Sequence, residues 1–140
     1  MRAIGAAPQT RRAREGGKSM RIYVINDNAE LVTLCQMALE ARGHEVETTI
    51  YASAVSAAVT RFQPDAIVLD WRLRDRTGGQ VLQELQSTFH SPPPVLVMSS
   101  LDQVAPEAKR RGAQAFLRKP FTEEALVNAV EALVRGGDAG

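Results

Sequence analysis

The chain has 140 residues, of which 44% are apolar and 24% charged, and its net charge is +1. This size and composition are typical of one globular domain with its own core. No apolar run approaches the roughly 20 residues of a membrane span, and the Arg-rich start lacks the apolar segment of a secretory signal. Because Cys35 is the single cysteine, an internal disulfide and a cysteine-based zinc cluster are excluded. We therefore expect a cytoplasmic protein.

Charge is unevenly distributed along the chain. Residues 1–19 carry five basic side chains against Glu15, a net charge of +4, whereas the chain from Met20 onward carries −3. The first segment has no hydrophobic periodicity, so we expect residues 1–19 to form a disordered basic tail, or a leader ahead of a start at Met20. Four net charges on a flexible tail give only weak, salt-sensitive binding to nucleic acid, and we expect no direct nucleic-acid partner.

The first predicted strand is the apolar run RIYVI at 21–25, and a helix is predicted to follow over about 28–42. Apolar residues in this helix recur at the i, i+3, i+4, i+7 spacing of an amphipathic helix. Asn28 can cap its N-terminus and Gly43 can end it. The apolar stripe consists of Leu31, Leu34, Cys35 and Ala38.

The same alternation of strand and helix continues through the middle of the chain. VETTI at 46–50 is β-branched and half polar, as expected of an edge strand. A helix is predicted over 53–62 and a third strand over 65–70, an apolar run that ends in an acid. The pattern of 78–89 indicates another helix.

A fourth apolar strand is predicted over 94–100, where it ends in two serines. The short helix predicted over 106–112 has Pro106 at its first position and Gly112 after its end, the usual placement of these two residues. Basic residues in its last turn suit the helix dipole.

The last predicted elements are a strand over 115–120 and a helix over 122–134 capped by Thr122. The chain thus contains five strand–helix units, and nearly continuous apolar strands indicate a parallel sheet that is covered by helices on both faces. We expect residues 20–135 to form this single α/β domain and residues 136–140 to form a frayed tail.

Polar side chains follow the strands at the edge where their carboxyl ends meet. Asn26 and Asp27 follow the first strand, Asp70 ends the third, Ser99 the fourth and Lys119 the fifth. Ligands of doubly wound sheets bind at this edge. Two neighbouring carboxylates repel each other unless a cation intervenes, and Mg²⁺ accepts such oxygen ligands. A lysine and a hydroxyl can then bind an anion at the metal, so the pattern indicates a carboxylate nucleophile, Mg²⁺ and a phosphoryl group.

From Arg21 to about Val134 the chain resembles response-regulator receiver domains. The matching segments, in the expected order, are IYVINDN, DAIVLDWRLRDRTGG, PVLVMSS and GAQAFLRKPF. The resemblance implies a flavodoxin-like, doubly wound, five-stranded parallel sheet in the order 2-1-3-4-5 with helices on both faces. It also implies a stand-alone signalling module of a two-component phosphorelay rather than a conventional enzyme.

The resemblance assigns a phosphorylation and metal site. Asp70 is expected to be the phosphoacceptor, phosphorylated by a histidine kinase or a phosphotransfer protein. Mg²⁺ is expected to bind Asp27, Asp70 and the backbone carbonyl of Arg72 directly, and Asn26 through a water.

The resemblance also assigns a switch. Ser99 is expected to be the switch hydroxyl, Lys119 the phosphate-binding lysine and Phe116 the aromatic switch residue. The Lys119–Pro120 bond is often cis in this family. Phosphorylation is expected to alter a surface made by the fourth helix, fifth strand and fifth helix, which binds a downstream protein; no membrane contact is expected.

Four departures from the family pattern keep alternatives open. Asn26 stands where an acid is usual, and Asn28 replaces a frequent acid but suits its place as a helix cap. Arg74 stands where proline is usual, and Thr77 where an acid is usual. Asn26 supports the alternative of a pseudo-receiver, a protein-interaction module that is independent of phosphorylation.

A hydrolase with an aspartyl nucleophile would need a second acid two residues after Asp70, where this chain has Arg72. A nucleotide-binding domain would need a Gly-rich motif after the first strand, and none follows it.

Simpler interpretations of individual residues also remain. Asp27 and Asp70, taken singly, are equally consistent with a helix cap and a turn residue. Cys35 is expected to be a buried small hydrophobe. His44 and His90 lie near the ends of elements and are expected to be solvated.

Overall fold

A computed structural model describes residues 19–139, with side chains described as far as residue 136. The predicted tail, 1–19, lies outside these residues except for Ser19. The described residues form one five-stranded parallel sheet in the order β2-β1-β3-β4-β5, which confirms the predicted fold. The strands are β1 (Arg21–Ile25), β2 (Glu45–Thr49), β3 (Ala66–Asp70), β4 (Val95–Ser99) and β5 (Ala115–Arg118).

Helices follow all five strands, and a short 3₁₀ turn, Ala52–Ala54, precedes the second helix. None of the helices in the described part of the chain is long and apolar enough to cross a membrane. The helices are α1 (Ala29–Ala41), α2 (Val55–Phe62), α3 (Gly78–Thr88), α4 (Val104–Arg110) and α5 (Glu123–Ala139).

The sheet separates two apolar clusters because successive strand residues face opposite sides. Along β3, Ile67 and Leu69 pack with α2, α3 and α4 on one face, whereas Ala66 and Val68 pack with α1 and α5 on the other. All five β3 residues are buried, which agrees with a central parallel strand. Cys35 is fully buried in the second cluster, and this burial raises the pKa of its thiol to about 11.

The predicted helix caps of α1 and α5 are present. The side-chain oxygen of Asn28 accepts a hydrogen bond from the Leu31 N–H at 3.1 Å, and that of Thr122 accepts one from the Ala125 N–H at 3.0 Å. Gly43 follows α1 with φ 93°, a conformation that favours glycine. These local interactions explain why the starts of α1 and α5 and the end of α1 were predictable from sequence.

Most element boundaries differ from the sequence predictions by one or two residues, and the differences in α4 and α5 are the most informative. Helix α4 begins at Val104, so Pro106 is its third residue and not its first. Proline is tolerated there because the first-turn N–H groups of a helix have no partner within the helix. Helix α5 continues to Ala139, past the predicted end at residue 134. The expectation of a frayed tail over 136–140 stays a prediction.

The expectation that His44 is solvated was wrong. His44 is buried: its Nδ1 accepts a hydrogen bond from the Met20 N–H at 3.1 Å, and its Nε2 lies 2.8 Å from Oε2 of Glu131. The two partners come from the residue before β1 and from α5, so both ring nitrogens of the buried imidazole have a polar partner. His90 is exposed, as predicted.

Candidate functional site

The carboxyl ends of β1, β3 and β4 bring three buried polar side chains to one edge of the sheet. Ile25 pairs with Leu69 in register, so the next residues along, Asn26 and Asp70, are neighbours at the ends of their strands. Asp70 is 5% exposed, Asn26 0% and Ser99 6%. Burial of a polar group costs free energy unless the group has a hydrogen-bond or ionic partner. Three of the four buried polar or charged residues of the described chain lie at this edge.

Lys119 enters the same site from the end of β5. Its Nζ lies 2.6 Å from Oδ1 of Asp70, and its backbone N–H donates to the Ser99 carbonyl at 2.9 Å. The Lys119–Pro120 peptide bond is cis. Asp70, Lys119 and Ser99 therefore meet in space, although they lie far apart in the sequence.

The charge on Asp70 is costly in this environment. Burial raises the pKa of Asp70 above its usual value, and the nearby carboxylate of Asp27 raises it further, whereas Lys119 acts in the opposite direction. The pKa is raised overall, so the lysine does not fully offset burial and repulsion. A second cation at this position would lower the free energy of the ionised pair.

A small pocket of about 100 Å³ opens over Asp70. Arg72, Ser100 and Leu101 line it in addition to the predicted residues. Arg72 is exposed, whereas Leu101 is partly buried. Ser100 was given no role from the sequence, yet it borders, with Arg72, the space in which a group attached to Asp70 has to fit.

The donor set fits Mg²⁺. Within residues 19–139 no three His, Cys, Asp or Glu side chains cluster closely enough to hold a metal. A metal at Asp27 and Asp70 therefore has to take its remaining donors from carbonyl and water oxygens, as Mg²⁺ does. The repulsion between these two carboxylates is consistent with a divalent cation between them.

Asn26 is held in one orientation. Its Oδ1 accepts a hydrogen bond from the Asn28 N–H at 2.9 Å, while its Nδ2 is buried without a hydrogen-bond partner. A buried donor that lacks an acceptor costs about 1–3 kcal/mol. The amide thus presents an unused donor at the end of β1, where the family pattern has an acid.

The 71–78 loop follows β3, and backbone contacts join its two ends. The Gly78 N–H donates to the Trp71 carbonyl at 2.7 Å, and Arg72 and Thr77 form an isolated antiparallel bridge. A Cβ on Gly78 would lie 2.8 Å from Cε3 of Trp71, so only glycine allows this close approach. Thr77 then caps α3 in a capping box with Gln80.

Ser99 and Phe116 lie where a change at Asp70 can reach the fourth helix. The hydroxyl oxygen of Ser99 accepts a hydrogen bond from the Leu101 N–H at 3.1 Å, in the segment that leads into α4. Phe116 is half-buried and packs, like Leu101, against the apolar cluster on the α2–α4 face of the sheet. Both predicted switch residues are therefore close to α4.

Comparison with known families identifies this arrangement. The family model described as a response regulator receiver domain matches residues 22–131. The chain belongs to this family. Receiver domains are components of two-component systems, and the strand order of this one is that of the flavodoxin-like fold.

The relatives of this receiver domain are transcriptional regulators. The probable transcriptional regulatory protein TcrX of Mycobacterium tuberculosis is 32% identical over 124 residues, which cover 87% of this chain and 53% of TcrX. RpaA of Synechocystis sp., a DNA-binding dual master transcriptional regulator, is 31% identical over 121 residues, which cover 84% of this chain and 50% of RpaA. This chain thus spans about half the length of the curated relatives it matches.

Solved structures show the same fold. A signal receiver domain from Bermanella marisrubri superposes with a TM-score of 0.76 and 27% identity over 81% of this chain and 97% of that one. NtrX from Brucella abortus superposes with a TM-score of 0.79 and 28% identity over 86% of this chain and 28% of NtrX.

Proposed function

We propose that this receiver domain accepts a phosphoryl group on Asp70 from a histidine kinase or phosphotransfer protein in the cytoplasm, and that phosphorylation alters a surface formed by α4, β5 and α5. The observation that carries this proposal is the contact between Lys119 and the buried carboxylate of Asp70, 2.6 Å apart, beside Ser99. A buried carboxylate, a cation and a hydroxyl around one pocket suit a phosphoryl group that is held transiently.

In the proposed transfer, the ionised carboxylate of Asp70 attacks the phosphorus atom of the donor. A new O–P bond forms on Asp70, and the bond between phosphorus and the donor's leaving group breaks. Lys119 binds a phosphoryl oxygen and stabilises the negative charge of the transferring group.

The oxygen donors of this site suit Mg²⁺. Asp27, Asp70 and the Arg72 carbonyl would hold it directly, with Asn26 acting through a water. When bound, Mg²⁺ neutralises part of the charge on the transferring phosphoryl oxygens.

The proposed switch begins at Ser99. Its hydroxyl now accepts from the Leu101 N–H, and donation to a phosphoryl oxygen would draw the side chain and the following loop toward Asp70. Helix α4 has seven residues, only Val104 and Ala108 are buried, and its N-cap has no side-chain hydrogen bond. So short a helix is unstable by itself, and small changes at its ends shift its position.

The relatives' names suggest the class of output. Their receiver regions belong to proteins named as transcriptional regulators, which supports a downstream protein partner in gene regulation. The switch predicts that a phosphoryl mimic changes amide hydrogen exchange in α4 and β5. A response confined to α1 or α2 would contradict an output surface at α4, β5 and α5.

Intact-mass spectrometry after incubation with a small phosphodonor and Mg²⁺ tests the acceptor. The wild type should gain one phosphoryl group, and D70N should gain none because an amide is not a nucleophile here. D102N removes an exposed carboxylate that lies two residues before α4 and pairs with Arg118. It is the matched control and should label like the wild type. Full labelling of D70N would refute the assignment.

The pseudo-receiver alternative is favoured by one observation, the amide of Asn26 in place of an acid. It predicts no labelling of the wild type at millimolar Mg²⁺. It also predicts that partner binding is the same with and without a phosphodonor.

A further inference from the structure

The tip of the 71–78 loop is attached to the segment before α2 through Asp75. Oδ1 of Asp75 accepts a hydrogen bond from the Ala52 N–H at 3.1 Å, and Oδ2 accepts one from the Ser53 N–H at 2.8 Å. Both oxygens of one exposed carboxylate are therefore used on backbone donors of another element. Bonds of this type, from backbone N–H groups to a carboxylate, are among the stronger ones in proteins.

The 3₁₀ turn at 52–54 depends on this carboxylate for its cap. Its own N-cap residue, Tyr51, makes no side-chain capping hydrogen bond. Although partial desolvation acts in the opposite direction, the N–H donors of Ala52 and Ser53 hold the pKa of Asp75 below its usual value. The cap is thus supplied from a different part of the chain, from the loop that follows the phosphoacceptor strand.

Two further contacts fix the same loop. Arg76 pairs with Glu84 of α3, and Glu84 also accepts a hydrogen bond from Ser56 of α2. Leu73 packs against the apolar cluster on the α2–α4 face. The loop is therefore held at its base by the Trp71–Gly78 hydrogen bond and at its tip by α2 and α3.

Arg72 lies between these two attachments. It is bridged to Thr77 through the backbone, it borders the Asp70 pocket, and it makes no ion pair within residues 19–139. The bridge to Thr77 and the attachments at the base and tip of the loop together set the direction of its carbonyl.

We propose that Asp75 is a positioning residue, which holds the 71–78 loop against the N-terminus of the 52–62 helical segment and so directs the carbonyl and side chain of Arg72 toward Asp70. This inference rests on the proposed function, because the Arg72 carbonyl matters to phosphorylation only as a metal ligand. Groups that orient the direct ligands of a metal typically contribute about ten-fold or more to its affinity.

The test compares D75A and D75N with T122A. T122A removes a neutral capping oxygen, which accepts one hydrogen bond at the start of α5, and is the control for the loss of a helix cap outside the loop. Trp71 is the only tryptophan and precedes Arg72, so its fluorescence is the readout for Mg²⁺ titration. D75A should weaken Mg²⁺ binding about ten-fold. D75N keeps one acceptor oxygen and should weaken Mg²⁺ binding less. T122A should leave Mg²⁺ binding unchanged.

Hydrogen exchange of the metal-free protein provides a second readout. In D75A the amides of Ala52 and Ser53 and those of the 72–77 loop should exchange faster, while in T122A only the start of α5 should. Mg²⁺ affinity of D75A equal to that of T122A would overturn the proposal, as would unchanged exchange at 72–77.

Failure of the proposed function gives a different result. The wild type itself would then show neither a Mg²⁺ response nor labelling, and the role of Asp75 in metal binding would fall with it. A wild type that binds Mg²⁺, together with a D75A variant that binds it equally well, overturns the role of Asp75 alone.

Discussion

The ammonium group of Lys119 lies 2.6 Å from Oδ1 of Asp70, yet the pKa of Asp70 remains above its usual value because the carboxylate is buried and faces Asp27. We therefore expect the lysine to have two effects on phosphorylation. It should keep Asp70 ionised over a wider pH range, and it should bind the incoming phosphoryl group.

Replacement of Lys119 by glutamine should change both the pH dependence and the rate of phosphorylation. Asp70 attacks only when ionised, so labelling falls as the pH drops through its pKa. Loss of the cation raises that pKa further, and the midpoint of the pH–rate profile should move to higher pH. At neutral pH we expect labelling to slow by about 100-fold, the typical cost of removing one group that stabilises a developing anion.

The measurement is the rate of mass gain between pH 5 and 9, with K109Q, on the exposed face of α4, as the control. K109Q should behave like the wild type. A midpoint that moves to lower pH in K119Q would show that Lys119 does not stabilise the ionised carboxylate.

Arg72 and Leu101 border the space over Asp70 and should make the phosphoaspartate long-lived. The guanidinium of Arg72 can pair with phosphoryl oxygens, and the apolar side chain of Leu101 offers no hydrogen bond to attacking water. R72A should shorten the half-life of phosphorylated protein about three- to ten-fold, since one charge-assisted hydrogen bond contributes around 1 kcal/mol or more.

R74A is the matched control because Arg74 is an exposed arginine of the same loop that does not line the pocket. The half-life is followed by intact mass after removal of the phosphodonor. Equal shortening in R72A and R74A would point to the overall charge of the loop rather than to a contact with the phosphoryl group.

Asn26→Asp should strengthen Mg²⁺ binding. An aspartate keeps the acceptor that Asn28 N–H uses and replaces the unpartnered Nδ2 donor by a charged oxygen. At an effective dielectric near 20, one added negative charge a few ångströms from a divalent ion contributes several kcal/mol of Coulomb energy, of which we expect a net ~1–2 kcal/mol after the loss of solvation is subtracted. This corresponds to roughly ten-fold in affinity.

Without metal the same variant should be less stable, because it adds a third carboxylate beside Asp27 and Asp70. Trp71 fluorescence measures the Mg²⁺ affinity, and thermal unfolding in a chelator measures the stability. N28D places an added charge at an exposed neighbouring cap and should change the Mg²⁺ affinity less than N26D. Weaker Mg²⁺ binding in N26D would mean that residue 26 does not face the metal site.

His44 has a structural role, which can be separated from function. H44F leaves the Met20 N–H and the Glu131 carboxylate without their buried partner. The expected loss is about 1–3 kcal/mol in the free energy of unfolding, measured in urea. H90F changes an exposed histidine and should be nearly neutral. Labelling of Asp70 should be unchanged in both variants, and slow labelling in H44F would contradict a purely structural role.

The predictable part of this fold is the part that local sequence determines. Alternating apolar segments gave the order of strands and helices, and the side chains of Asn28 and Thr122 marked helix starts because a cap acts on amides three residues away. The residue types at the strand ends indicated a phosphoryl site, since parallel strands place their carboxyl ends together. The strand order and the individual roles came from the family resemblance.

The unpredicted part depends on contacts between distant residues. His44 meets Glu131, 87 residues away, and an isolated histidine near a helix end gives no sign of that partner. Asp75 caps amides 22 and 23 residues earlier in the chain, and its sequence context is only that of a polar loop. The start of α4 was misplaced because proline is tolerated throughout a first helical turn, so Pro106 does not mark its first position.

Phosphorylation of Asp70 itself is tested most directly by chemical trapping of the modified residue. The protein is incubated with a small phosphodonor and Mg²⁺, the acyl phosphate is reduced with borohydride to homoserine, and the peptides are sequenced by mass spectrometry. Homoserine at position 70, and at no other aspartate, is the predicted result. Homoserine at another position, or none at any position when the wild type has been exposed to millimolar Mg²⁺ and phosphodonor, would contradict it.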